Sequence, residues 1–243
     1  MDEYSIYLVL PDNPITDQKE ILLKTKALQK CFIENGEERI IFDNLDIECN
    51  ASQSLSIIGP SGTGKSTLLH VLGLLDSPTA GAFFLKGKDT SLWSNKKKAA
   101  FRSESIGFVF QKHHLLSELS LLENVSLPLL KTGIPKNKAE NEAEVLLQSM
   151  GLSNRKDAKP TILSGGELQR GAICRATIHK PEILLMDEPT GSLDADRGKA
   201  VISDILELIK PQKTACIIVT HNLDFANQTD ISFKLNNAKL QKC

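Results

Sequence analysis

The run Gly59-Pro60-Ser61-Gly62-Thr63-Gly64-Lys65-Ser66-Thr67 lies between the apolar segment Leu55 to Ile58 and the helix-like segment Leu68 to Leu75, and it constrains this chain more than any other feature. The order it spells is strand, glycine loop, helix. Glycines let the backbone curl until successive N–H groups point inward, and the positive end of the following helix favours an anion. The spacing predicts a cradle for the β-phosphate of a nucleoside triphosphate, with Lys65 reaching the β- and γ-phosphates and Ser66 offering its hydroxyl to Mg²⁺. A glycine-rich turn entering a core helix is the plainer alternative, and the strand and helix on either side weigh against it.

Far down the chain, Ile183-Leu184-Leu185-Met186-Asp187-Glu188 reads as a buried parallel strand ending in two carboxylates. A strand covered on both faces is a continuous apolar run. Acids that follow it sit at the carboxyl edge of the sheet, where the glycine loop also emerges. Asp187 is the candidate Mg²⁺ ligand, and Glu188 is the candidate general base for an attacking water.

A third element, Leu163-Ser164-Gly165-Gly166-Glu167, opens a helix expected to run to about His179. Serine and two glycines at a helix mouth make a second anion-binding terminus. One subunit already holds a complete cradle, so the second terminus is best explained if it caps the γ-phosphate of a nucleotide on another subunit. Leu163 to Glu167 resembles the signature motif of the ATP-binding cassette family. With the glycine loop, the Asp187-Glu188 strand, Gln111 and His221, the chain matches that family's motif set in order from about Ile21 to Leu240.

The resemblance implies ATP and Mg²⁺ as ligands and a P-loop NTPase (RecA-like) core sheet with an antiparallel β subdomain and an inserted α-helical subdomain. It assigns Phe32 to stacking on adenine. Gln111, after the strand-like Ile106 to Phe110, takes the role of the glutamine that senses Mg²⁺ and passes the nucleotide state to a membrane partner. Asp194, in Ser192-Leu193-Asp194, matches the loop that crosses to the opposite subunit, and His221 matches the histidine that contacts the γ-phosphate. Two such subunits are expected to close as a homodimer on ATP, gripping two integral-membrane permease subunits.

Composition agrees. The chain has 243 residues with 41% apolar residues, enough for one substantial core, and its alternating strands and helices predict an α/β fold. A formal net charge of −1 argues against a nucleic-acid footprint. With no apolar stretch long enough for a bilayer and an acidic amino terminus (Asp2, Glu3), the chain is expected as a peripheral protein on the cytoplasmic face of the inner membrane. Cys31, Cys49, Cys174, Cys216 and Cys243 show no metal-ligand spacing.

Along the chain, residues 1–20 form an extension without counterpart in the family pattern, where Tyr4 to Leu10 could add an edge strand or stay loose, and residues 21–243 form the ATPase domain. Ile21 to Leu28 and Leu45 to Cys49 read as strands, the latter alternating apolar and polar residues as a half-buried strand does. Residues from about Lys112 to Ile162 are helical in pattern, with Glu140 to Met150 stopping at Gly151. Ile231 to Leu235 and Lys239 to Leu240 flank Asn236-Asn237 as a hairpin.

Within the family, Ile106 to Leu116, Leu121 to Leu129 and Asp187 to Asp194 are similar to ATPases of lipoprotein-releasing systems, while MacB-type efflux and FtsE-type division ATPases share most of these residues. Glu167 stands where the family usually has glutamine, Asn222 where an acid is usual, and Gly171 interrupts the post-signature helix at a cost of about 1 kcal/mol relative to alanine.

Overall fold

The computed structural model describes residues 20–190 and 195–243. Residues 1–19 of the extension lie outside that range, as do Ser192, Leu193 and Asp194.

The first sheet is antiparallel. Strand β1 (Ile21–Glu34) pairs with β2 (Glu37–Leu45) and with β3 (Glu48–Asn50). After β4 (Ser54–Ile58), which belongs to the other sheet, β5 (Ala80–Leu85) pairs with β1 and β6 (Lys88–Asp89) with β5. β1 runs six residues beyond the expected Leu28. It changes register around Ala27, a residue at φ 47, so its first half pairs β3 and its second half pairs β2. The expected strand from Leu45 to Cys49 is interrupted after Leu45. There the Thr25 hydroxyl donates to the Leu45 carbonyl and accepts from Ile47 N–H, both at 2.9 Å, filling in for ladder bonds. The alternation still holds, since Leu45, Ile47 and Cys49 are all buried.

The second sheet carries the site. Its order is β11-β10-β4-β9-β8-β7, where β7 is Ile106–Val109, β8 Ile183–Asp187, β9 Ala215–Thr220, β10 Ile231–Asn236 and β11 Lys239–Lys242. All neighbours in it are parallel except the β10–β11 hairpin, whose turn residues Asn237 and Ala238 lie at φ 46 and 61. Every residue of β4, β8 and β9 is buried. Alternate residues serve two cores: Leu55, Ile57, Leu185 and Ile217 face the antiparallel sheet and helix α1 (Lys65–Leu72), while Leu184, Met186, Cys216 and Ile218 face the opposite layer. Double burial is why these strands read as unbroken apolar runs.

Helix α2 (Asn95–Ser105), capped by Ser94, follows the first sheet. Helices α3 (Leu121–Lys131) and α4 (Lys136–Ser149) fall in the segment expected to be helical, and Gly151 at φ 69 follows α4 as its stop. They pack on α5 (Gly165–Thr177), with α6 (Ala195–Ile209) and α7 (Leu223–Ala226) completing the layer. Gly171 has a packing reason: a Cβ there would come within 2.5 Å of Leu121 Cδ1, so the glycine lets α3 approach α5. No described helix is long and apolar enough to cross a membrane.

Candidate functional site

Parallel registry brings four loops to one edge. Ile58 lies opposite Thr220, Val219 opposite Asp187 and Met186 opposite Val109. The residues that follow these ends, from Gly59, from His221, Glu188 and Gln111, therefore line up along the carboxyl edge of a single sheet.

The glycine loop enters α1 through Gly64, which sits at φ 95 and is the N-cap. A Cβ at Gly64 would collide with the Ile41 side chain, and one at Gly59 would approach the Leu235 carbonyl oxygen within 2.5 Å. Both positions need glycine to bring the backbone this close. Gly62 is also at positive φ, and Thr63 bonds the Pro60 carbonyl at 2.9 Å. Lys65 is 6% exposed and curls over the loop, donating to the carbonyls of Gly59 at 2.8 Å and Pro60 at 3.0 Å. Ser61, Ser66 and Thr67 stand at the loop and first turn, with Ser66 exposed.

Asp187 is buried, and its Oδ1 has no hydrogen-bond partner. Burial pushes its carboxyl above the usual carboxylate range and the nearby Glu188 charge adds to this, while the Ser66 hydroxyl, His70 and Lys65 pull it down. An orphaned buried carboxylate oxygen beside a serine hydroxyl is a hard-oxygen donor set of the kind Mg²⁺ takes.

Glu188 occupies a left-handed backbone position at φ 45, tied by its N–H to the Val219 carbonyl at 2.9 Å. Its Oε2 accepts from the Thr220 hydroxyl at 3.0 Å and from His221 N–H at 3.2 Å, and lies 2.9 Å from His221 Nδ1. Its Oε1 lies 3.8 Å from Lys65 Nζ. A carboxylate, an imidazole and a lysine thus converge beside the phosphate-type loop, an arrangement that can hold a polyphosphate and accept a proton from water.

Ser164 is the N-cap of α5 in a reciprocal box: Glu167 N–H donates to Ser164 Oγ at 3.4 Å, and Ser164 N–H and hydroxyl donate to Glu167 Oε2 at 2.7 Å each. Arg155 Nε donates to Glu167 Oε1 at 2.7 Å. These bonds from Ser164 and Arg155 hold the Glu167 carboxyl down at about 2. Ser164 and Gly165 are exposed, with Gly166 partly so. Helix α5 packs chiefly on α3, β7, α4 and α6. Gln111 is exposed just beyond β7, and Phe32 stands 41% exposed on β1.

Two residues that hold the segment after Gln111 were not singled out from the sequence. Arg175, at the far end of α5, donates to the carbonyls of His114 at 2.6 Å and His113 at 2.9 Å. Fully buried Asn124 accepts from Leu116 N–H at 2.7 Å and donates to the carbonyls of Leu116, Leu119 and Ser120. No local pattern marks an arginine that reaches a distant loop. The Ser164-to-Glu167 spacing, by contrast, is a legible capping signature.

The ABC transporter family profile matches residues 42–191. The lipoprotein-releasing system ATP-binding protein LolD of Syntrophus aciditrophicus (strain SB) is 43% identical over 222 residues, 91% of this chain and 100% of the relative. The chain belongs to the ABC transporter family. LolD of Idiomarina loihiensis is a further relative of this ABC ATPase, 41% identical over 92% of this chain and 98% of its own. In fold the cassette is similar to the ATP-binding cassette MJ0796, solved as a dimer in a post-hydrolysis state bound to ADP and Pi, with TM-score 0.84, 31% identity, 91% of this chain and 98% of that one covered. It shares the fold of cbiO1 from Clostridium perfringens, part of the ABC transporter complex cbiONQ, at TM-score 0.82 and 24% identity over 92% of this chain and 88% of that one.

Proposed function

We propose that this cassette is the ATP-hydrolysing subunit of a lipoprotein-releasing transporter, acting as a homodimer on two membrane permease subunits at the cytoplasmic face of the inner membrane. The observation that carries it is the likeness to LolD proteins, 43% and 41% identical over more than nine-tenths of this chain and nearly all of each relative.

The site suggests how the work is done. Lys65 exchanges its bonds to the Gly59 and Pro60 carbonyls for β- and γ-phosphate oxygens, while backbone N–H groups from Gly62 to Thr67 enclose the β-phosphate. Phe32 stacks on adenine. Asp187 and Ser66, with Gln111 just beyond β7, would hold Mg²⁺, and the ion would neutralise charge on the phosphate oxygens. Ser164, Gly165 and Gly166 of the second protomer cap the γ-phosphate, with Glu167 fixing that cap through the bonds it makes to Ser164. Glu188 takes the proton of the attacking water and His221 steadies the γ-phosphate. Closure of the dimer on ATP and reopening after hydrolysis moves the α3–α4 region; Asn124 of α3 bonds Leu116, and Arg175 of α5 bonds His113 and His114, all in the segment after Gln111.

The test is to purify Glu188→Gln with ATP from native membranes in mild detergent and identify its membrane partners by mass spectrometry. Partners with four transmembrane spans and large extracytoplasmic domains, accompanied by lipoproteins, support this reading. An efflux partner of the MacB type, a division-type partner of the FtsE type or a solute permease replaces it.

A further inference from the structure

Phe32 is a large aromatic left 41% exposed on β1, and what lies behind it is a buried charge. Lys30, two residues earlier on the same face of the strand, is 8% exposed, and its Nζ sits 4.9 Å from the centroid of the Phe32 ring. That ammonium is not free to wander. Both carboxylate oxygens of Asp76 lie 2.8 Å from it, and the Ser77 carbonyl accepts from it at 2.9 Å. Asp76 follows α1 closely, the helix whose other end carries the glycine loop. Two further bonds close the same joint: Cys31 N–H to Thr79 Oγ1 at 3.1 Å and Thr79 N–H to the Gln29 carbonyl at 2.8 Å.

We infer that Lys30 is a positioning residue for the nucleobase, its fixed ammonium backing one face of Phe32 so that the ring is held between a cation and the purine. The inference deepens the assignment of Phe32 as the adenine platform and rests on it. Two physical effects support it. A cation against one face draws π density toward itself and leaves the opposite face less negative, a better partner for an electron-rich purine. The ion pair to Asp76 also ties the platform to the helix that bears the phosphate loop, so base and phosphate ends of the site share one rigid frame.

The experiment is calorimetric titration of the full chain with MgADP and, separately, with Mg-pyrophosphate, for the wild type, Phe32→Ala and Lys30→Met. Methionine keeps the apolar stem and removes the charge. Lys30→Met is expected to weaken ADP by about 3- to 10-fold and leave pyrophosphate unchanged, a split that a general loosening of the fold does not produce. Equal weakening of both ligands, or unchanged ADP affinity where Phe32→Ala weakens it, overturns the role of Lys30. Unchanged ADP affinity in Phe32→Ala overturns the platform assignment itself. If Lys30→Met does not fold, Asp76→Asn, which keeps ammonium and ring but removes their tether, must show the same split.

Discussion

Glu188 Oε2 lies 2.9 Å from His221 Nδ1 while Glu188 Oε1 faces Lys65 Nζ at 3.8 Å, so one carboxylate links the ends of β8 and β9 to the phosphate-type loop after β4. These contacts orient the Glu188 carboxylate. Replacing Glu188 by Gln keeps the shape and removes the carboxylate proposed as the base. Steady-state ATPase turnover is expected to fall about 10²- to 10⁴-fold with ATP binding retained, and unchanged turnover would sink the base assignment.

Asp187 gives a prediction of opposite sign for stability and function. Because burial raises its folded pKa, ionised Asp187 costs the folded chain stability above that pKa, and the cost fades as pH falls toward the ordinary 3.8. Asp187→Asn should therefore melt at a higher temperature than the wild type at pH 7 without ligand, the gap closing in acid. The same variant should gain little stability from Mg-ATP, where the wild type gains much. Paired thermal melts read both.

Glu167 runs the other way. Its carboxyl is held down at about 2 by Ser164 and Arg155, so the stability it adds is complete above its ordinary 4.5 and is lost as pH falls toward 2. Glu167→Gln, which can still accept from Ser164, should be less stable than the wild type at pH 7, the gap narrowing below pH 4.5 and closing only as pH reaches about 2. Urea midpoints across that range check this, and a pH-independent difference contradicts it.

Gly73 sits against an aromatic ring. A Cβ there would land on the edge of the Phe108 ring, which stacks on Phe110 at 5.2 Å, so the ring pair must shift to admit it. Gly73→Ala is expected to cost about 1–3 kcal/mol in denaturant unfolding, despite alanine's better helix propensity.

Much of this was legible in the sequence for physical reasons. Ile183 to Asp187 reads as a doubly buried strand because both of its faces meet a core, and the hairpin is announced by Asn237, which tolerates positive φ, although the turn falls one residue later than Asn236-Asn237, on Asn237 and Ala238. Long-range geometry was not legible. The extension of β1 past Leu28 depends on a bend at Ala27 and a partner that arrives later in the chain, and the split near Asp46 depends on the hydroxyl of Thr25. Lys30 and Arg175 look like ordinary surface cations until the fold brings Asp76 to one and the His113-His114 backbone to the other.

Lipoprotein release can be measured by reconstituting this cassette with its co-purified membrane partners in proteoliposomes loaded with a lipoprotein. ATP, but not ADP, is expected to transfer lipoprotein from the bilayer to a soluble acceptor, and Glu188→Gln is expected to abolish the transfer. ATP hydrolysis at full rate with the lipoprotein still in the bilayer would contradict the proposed release function.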